Sequence, residues 1–173
     1  ITNFTNSLIL GHQTTGTLSS ADGNTAVGYA ALDAITSGDN NVAIGFTSLS
    51  ANTTGSSNVA VGKDALAVNT TGAENIAIGT DALTANTTAS YNIGIGADAG
   101  LAITTGDRNI AIGYQALKTN TVGDRSVAVG YSALYTQEPS SNADMANVAI
   151  GNLSMYSTTT GTNNTGVGFN TMF

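Results

Sequence analysis

The stretch Asn41-Val42-Ala43-Ile44-Gly45-Phe46-Thr47-Ser48-Leu49 decides how this chain is read, because it keeps returning. It reappears as NVAVGKDAL (58–66), NIAIGTDAL (75–83), NIAIGYQAL (109–117) and SVAVGYSAL (126–134). Weaker copies are NTAVGYAAL (24–32), NIGIGADAG (92–100), NVAIGNLSM (147–155) and NTGVGFNTM (164–172). The glycine after each apolar triplet falls at Gly28, Gly45, Gly62, Gly79, Gly96, Gly113, Gly130, Gly151 and Gly168, six intervals of 17, one of 21 and a last of 17. Seventeen residues before Gly28 stands Gly11, behind Leu8-Ile9-Leu10, so a degenerate copy opens the array. A period this short over nearly the whole chain marks a repeat protein, with each unit touching only its neighbours.

Each unit has two halves. Val42-Ala43-Ile44 alternates with period two, and its β-branched residues favour a strand. The Thr-rich half, such as Ala51-Asn-Thr-Thr-Gly55, suits a second short strand or an extended segment between turns, closing at a glycine where positive φ is expected. Two strands and two turns in 17 residues predict an all-β fold, a parallel β-roll or β-solenoid of about ten coils. The whole of 1–173 reads as one array, centred on the ten glycines from Gly11 to Gly168. At about 4.8 Å per coil, ten coils make a rod on the order of 48 Å long.

Stacking residue n on residue n+17 lets the rows be read directly. The predicted core is Val42, Ile44, Leu49, Val59, Val61, Leu66, Ile76, Ile78, Leu83, Ile110, Ile112 and Leu117. The small residues between them, Ala43, Ala60, Ala77, Ala111 and Ala128, then occupy the opposite face of the strand. An exposed face is usually polar, so an alanine strip predicts a seam between identical chains. The thin core makes the same demand, and a side-by-side or intertwined homotrimer is the expected assembly. The longer interval between Gly130 and Gly151 holds four extra residues and the sole proline, Pro139, which predicts a surface loop at 135–146.

Charge and composition narrow the function classes. A net charge of −7, with four Lys and Arg in 173 residues, provides no phosphate-binding surface. Cysteine is absent, which removes thiolate metal sites and disulfides. No apolar run approaches the roughly 18 residues of a membrane span, so no membrane insertion is expected. The chain opens at Ile1 and closes in mid-repeat, and reads as a piece of a longer protein.

The phrase [NS]-[VI]-A-[VI]-G-x-x-A resembles the head repeat of the YadA-like trimeric autotransporter adhesins. The longer unit with L-x-x-N-T-T-G resembles repeats in the shafts of bacteriophage tail fibres, and a 17-residue period favours that branch. The resemblance spans about residues 7–172. It implies a homotrimeric, left-handed parallel β-roll in a virion tail fibre or at a cell surface, presenting surfaces that bind a host carbohydrate or protein. The alternatives are a purely structural extracellular filament or coat, and an ice-binding solenoid built on the Thr ladders.

Nothing in the sequence calls for catalysis or a cofactor. His12, the sole histidine, has no distinctive serine motif beside it and reads as a turn residue. Asp64, Asp81 and Asp98 stack at one repeat position, where a bridging cation is the one metal reading available, although they recur as turn-formers do. Asn41, Asn58, Asn75, Asn92 and Asn109 predict an amide ladder. The residue after each glycine is often a ring, and Tyr29–Phe46 and Tyr114–Tyr131 predict exposed aromatic steps. These four, with Tyr135 and Glu138 of the loop, are the candidate receptor contacts.

Overall fold

The computed structural model describes residues 8–10 and 20–172. Ten three-residue strands form one parallel sheet: β1 (Leu8–Leu10), β2 (Thr25–Val27), β3 (Val42–Ile44), β4 (Val59–Val61), β5 (Ile76–Ile78), β6 (Ile93–Ile95), β7 (Ile110–Ile112), β9 (Val127–Val129), β11 (Val148–Ile150) and β12 (Thr165–Val167). A second, two-stranded sheet pairs β8 (Gly123–Asp124) with β10 (Ala143–Asp144). Register follows the repeat, with Val42 on Val59, Ile76 on Ile93 and Ile110 on Val127. The fold is a β-solenoid of about 17 residues per turn. Gly11 and His12 lie outside the described residues.

The second half of each coil is not the strand that its threonines suggested. Outside β8 and β10 it is a run of turns and bends. Its curvature comes from non-glycine residues in the left-handed region, including Leu49 (φ 49°), Leu66 (51°) and Leu83 (50°). A bulky residue there is uncommon and strained. The gain is directional: the left-handed bend sends two successive side chains inward, and Ala65 and Leu66 are both fully buried.

The strand faces are reversed relative to the sequence reading. Ala43, Ala60, Ala77, Ala111 and Ala128 are 0% exposed and line the inside of the coil, so they cannot be a seam between chains. Val42, Val59, Ile76 and Ile110 are half-buried on the outside, with Val61 and Ile112, while Ile44 and Ile78 are 40% and 39% exposed. Only Leu49, Leu66, Leu83 and Leu117 of the predicted core are enclosed. Width is the reason. A Cβ placed on Gly94, which stands in the alanine row, would come 2.8 Å from Cγ of Leu83. With leucine filling the bore, the strand can turn only its smallest residue inward.

Two asparagine ladders complete the interior. Asn41, Asn58, Asn75, Asn92 and Asn109 are fully buried. Each side-chain oxygen accepts the backbone N–H of the corresponding residue one coil on, as Asn75 N–H to Asn58 Oδ1 (3.0 Å). Each Nδ2 donates across the coil, as Asn75 Nδ2 to the carbonyl of Ala89 (2.8 Å). A shorter ladder of Asn52, Asn69, Asn86 and Asn120 bonds the glycine or alanine carbonyl three residues on. The first ladder is interrupted once, at Ser126. There the buried Gln137 reaches over, exchanging bonds with the Ser126 hydroxyl and accepting from Nδ2 of Asn147 (2.8 Å).

The four-residue insertion is split. Ala143 pairs with Gly123 and Asp144 with Asp124, and the main sheet resumes with Val148 on Val127. Three of the extra residues, Ser140, Ser141 and Asn142, therefore project from the corner, where all three are exposed. The fourth, Met145, is a bulge: its N–H and that of Ala146 both reach the carbonyl of Asp124. Its side chain is buried.

Candidate interaction surfaces

The outward face of the ten-stranded sheet is the most unusual surface of the molecule. Two rows of Val and Ile, with Thr25 and Thr165 at the ends of one, run along it, and among the described residues they are half-buried or exposed. Nine strands from β2 to β12 at about 4.8 Å spacing, each about 10 Å long, give a largely apolar surface of roughly 430 Å². That reaches the size of the largest patches on ordinary monomers.

Two further rows border this face. On the side entered after each glycine stand Tyr29, Phe46, Lys63, Thr80, Ala97, Tyr114, Tyr131, Asn152 and Phe169. On the side from which each strand is entered stand Asn40, Ser57, Glu74, Tyr91, Arg108 and Arg125, all in the left-handed region. The guanidinium of Arg108 lies 5.5 Å from the centre of the Tyr91 ring, and Arg125 forms an ion pair with Asp144.

The predicted aromatic steps exist, each as a stacked pair. Tyr29 stacks on Phe46 with centroids 5.2 Å apart and planes 12° from parallel, and Tyr114 on Tyr131 at 5.5 Å and 24°. A sugar packs on a ring face, and the stacking takes one face of each ring. Tyr135 belongs to a different row, stacked on Tyr156 at 4.9 Å with the Lys118 ammonium 6.0 Å from its centre. Tyr156 was missed in the sequence, although it sits 21 residues after Tyr135, the length of the one irregular interval. Glu138 is exposed and accepts a hydrogen bond from the Thr121 hydroxyl (2.6 Å).

The aspartate row does not converge on a common point. Asp64 pairs with Lys63 and accepts from the Thr47 hydroxyl, whereas Asp98 takes Nε2 of Gln115 and Nζ of Lys118, each at 3.1 Å. Among the described residues no group of three or more His, Cys, Asp or Glu gathers as a metal site. Hydrogen bonding, from Lys63 and Thr47 to Asp64 and from Gln115 and then Lys118 to Asp98, holds both carboxyls below their usual range. A depressed carboxyl stabilises the fold above its unfolded pKa, about 3.9, and loses that contribution as pH falls through the folded value. Asp98→Asn is therefore expected to lower stability slightly at neutral pH, and the difference from the parent should shrink as pH falls below about 3.9 and vanish once the folded carboxyl is protonated. Urea titrations of both proteins at a series of pH values read this directly. A difference that persists at low pH would show that the carboxylate charge is irrelevant.

The threonine pairs divide their roles. Thr53, Thr70, Thr87 and Thr104 donate their hydroxyls to the backbone carbonyl of the next coil, at 3.0 to 3.2 Å. Only Thr54, Thr71, Thr88 and Thr105 stand exposed, in single file. The Asn-Thr-Thr runs match a glycosylation pattern, but Asn52, Asn69 and Asn86 are fully buried with their amides engaged.

Among the described residues no helix is long and apolar enough to cross a membrane. Comparison of the chain with protein-family models, with curated proteins and with solved structures gave no match.

Proposed function

We propose that this chain is a segment of a tail fibre or surface adhesin, in which three copies run side by side and enclose their Val/Ile faces around a common axis. The observation that carries this reading is the uncovered apolar sheet face. A single solenoid leaves it in water at an unfavourable ~25 cal/mol per Å². Three copies of a roughly 430 Å² face bury about 1,300 Å² together, about 430 Å² at each of three contacts, so the rows bordering the face must add to the interface for the assembly to be stable. Flat faces turned towards an axis make a closed prism, and closure is the usual state of homo-oligomers. The seam is the Val/Ile row, in place of the alanine strip. The resemblance of NVAIG-type repeats to trimeric adhesin heads and tail-fibre shafts supports the same assembly. The rod would hold receptor-binding surfaces away from the particle or cell that carries it.

A second reading, a structural filament with no receptor of its own, draws on the ring stacking. Tyr29, Phe46, Tyr114 and Tyr131 each spend one face on a partner ring, and this fits a packing role at the border of the seam. The exposed corner at Ser140, Ser141 and Asn142 then remains the least repetitive surface available for a partner.

Light scattering tests the assembly. The expected solution mass is about three times the 17.2 kDa chain. Ile78→Lys places an ammonium group in the middle of the face and is expected to raise the dissociation constant by about a thousandfold or more, because a buried unpaired charge costs several kcal/mol. Its circular dichroism should stay that of the parent, since Ile78 points away from the coil's interior. A folded parent of one-chain mass would overturn the proposal.

A further inference from the structure

The two rows bordering the apolar face carry an arrangement that self-association alone does not require. The chain has two arginines, Arg108 and Arg125. Arg108 stands two residues before β7 and Tyr114 two residues after it; Arg125 and Tyr131 flank β9 in the same way. Both arginines and both tyrosines are exposed at opposite edges of the sheet. Each Arg–Tyr pair is thus level along the rod but separated across the full width of a strand. Six residues span at most ~20 Å when extended; the positive φ at Arg108 and Gly113 shortens this, but the two residues still flank opposite ends of the strand.

We infer that Arg108 and Arg125 of one copy donate hydrogen bonds to the hydroxyls of Tyr114 and Tyr131 of the neighbouring copy, and that these corner contacts fix how the copies are aligned. The inference rests on the self-association proposed above and adds its direction and register. In any assembly rotated about an axis parallel to the rod, the arginine edge of one copy faces the tyrosine edge of the next. Residues flanking the same strand then sit at the same height. An antiparallel pair brings like edge against like edge instead. The tyrosines suit the parallel arrangement, because both are about half exposed and a phenol oxygen can accept a hydrogen bond. The remaining charges agree with it. At equal heights Lys63 faces Ser57 and Glu74 faces Thr80, so no like charges oppose, and the neighbour's Lys63 stands one coil from Glu74. A slip by one coil would move Arg108 off Tyr114 and onto Ala97 or Tyr131, leaving one arginine of the two without a ring. The apolar face alone is too uniform to prevent that slip, since its Val and Ile rows repeat at every coil.

The absence of cysteine makes the test free of background. The double variant Arg108→Cys/Tyr114→Cys is treated with a short bismaleimide, whose reach of ~8 Å is well under half the extended distance between the two sites within one chain. The expected result is cross-linking into species of two and three chain masses on a denaturing gel, at least about tenfold faster than in either single variant, because neighbouring sites raise the local thiol concentration. Rapid cross-linking of Tyr114→Cys alone would show like edges meeting and overturn the arrangement. So would a double variant that scatters as an oligomer yet does not cross-link, or one that cross-links no faster than Arg108→Cys paired with Tyr29→Cys, five coils away. A parent that scatters as a monomer overturns the self-association itself, which separates the two failures.

Discussion

Gly79→Ala is expected to destabilise the solenoid by about 4 kcal/mol, lowering its melting temperature by roughly 8–16 °C for a chain of this size. Two costs combine. Gly79 has φ of 133°, a region that side chains with a Cβ rarely enter, at a cost of about 1–3 kcal/mol. The new Cβ would also lie 2.6 Å from both the carbonyl carbon and oxygen of Gly96 in the next coil. Those atoms belong to backbone, so relief requires parting two coils and stretching the strand bonds between β5 and β6. The corresponding glycines along the array, such as Gly45 and Gly62, meet the next coil in the same way, which is the physical meaning of the most regular feature in the sequence. Thermal and urea unfolding measure the effect. A variant melting within about 2 °C of the parent would show that the coils are looser than the structure has them.

Asn75→Leu has the second largest expected effect, about 3 kcal/mol. Leucine keeps asparagine's branched shape but is bulkier, so crowding in the closed bore adds to the polar loss. The backbone N–H of Asn92 loses its acceptor at Asn75 Oδ1 (2.9 Å), and Asn58 Oδ1 and the Ala89 carbonyl each lose a donor. A buried donor without a partner costs about 1–3 kcal/mol, and each weakened acceptor adds less. The Asn92 amide hydrogen should also exchange faster than in the parent, while amides several coils away stay protected. Unchanged stability would mean that the ladder is ornamental. The chain's own exception argues against that: where Ser126 shortens the ladder, Gln137 supplies the missing oxygen for Asn147.

Much of this architecture was legible because stacking by 17 turns a sequence into a map. Register, the leucine column and the asparagine ladder all follow from the position of Gly45 and its copies. The facing of the strand did not follow. Alternation says that Ala43 lies opposite Val42 and Ile44, but not which side is inside, and the larger hydrophobic residues were assigned inward by bulk. The bore decides the matter, and its width depends on Leu49 and Leu66 adopting left-handed backbone that no propensity assigns to leucine. The alanine strip was misassigned for the same reason, since a seam was placed on the face that fills the coil. Tyr29–Phe46 was foreseen as a step, yet ring orientation, which settles what can dock there, depends on side-chain angles invisible to periodicity. The Met145 bulge was hidden inside a simple count of four extra residues.

The strand-to-strand bonds, such as those between Val42 and Asn58 or Gly62 and Ile44, link each coil to its neighbour along the length of the rod. A pull on the two ends of one chain is consequently carried by coil interfaces connected in series, like links of a chain, so the weakest interface sets the breaking force and coils peel away singly. Compression meets close-stacked glycine backbones and is resisted at once. Neighbouring copies held along their whole flank would place three such series in parallel, so that a coil opening in one strand of the bundle leaves the load with the other two until it recloses.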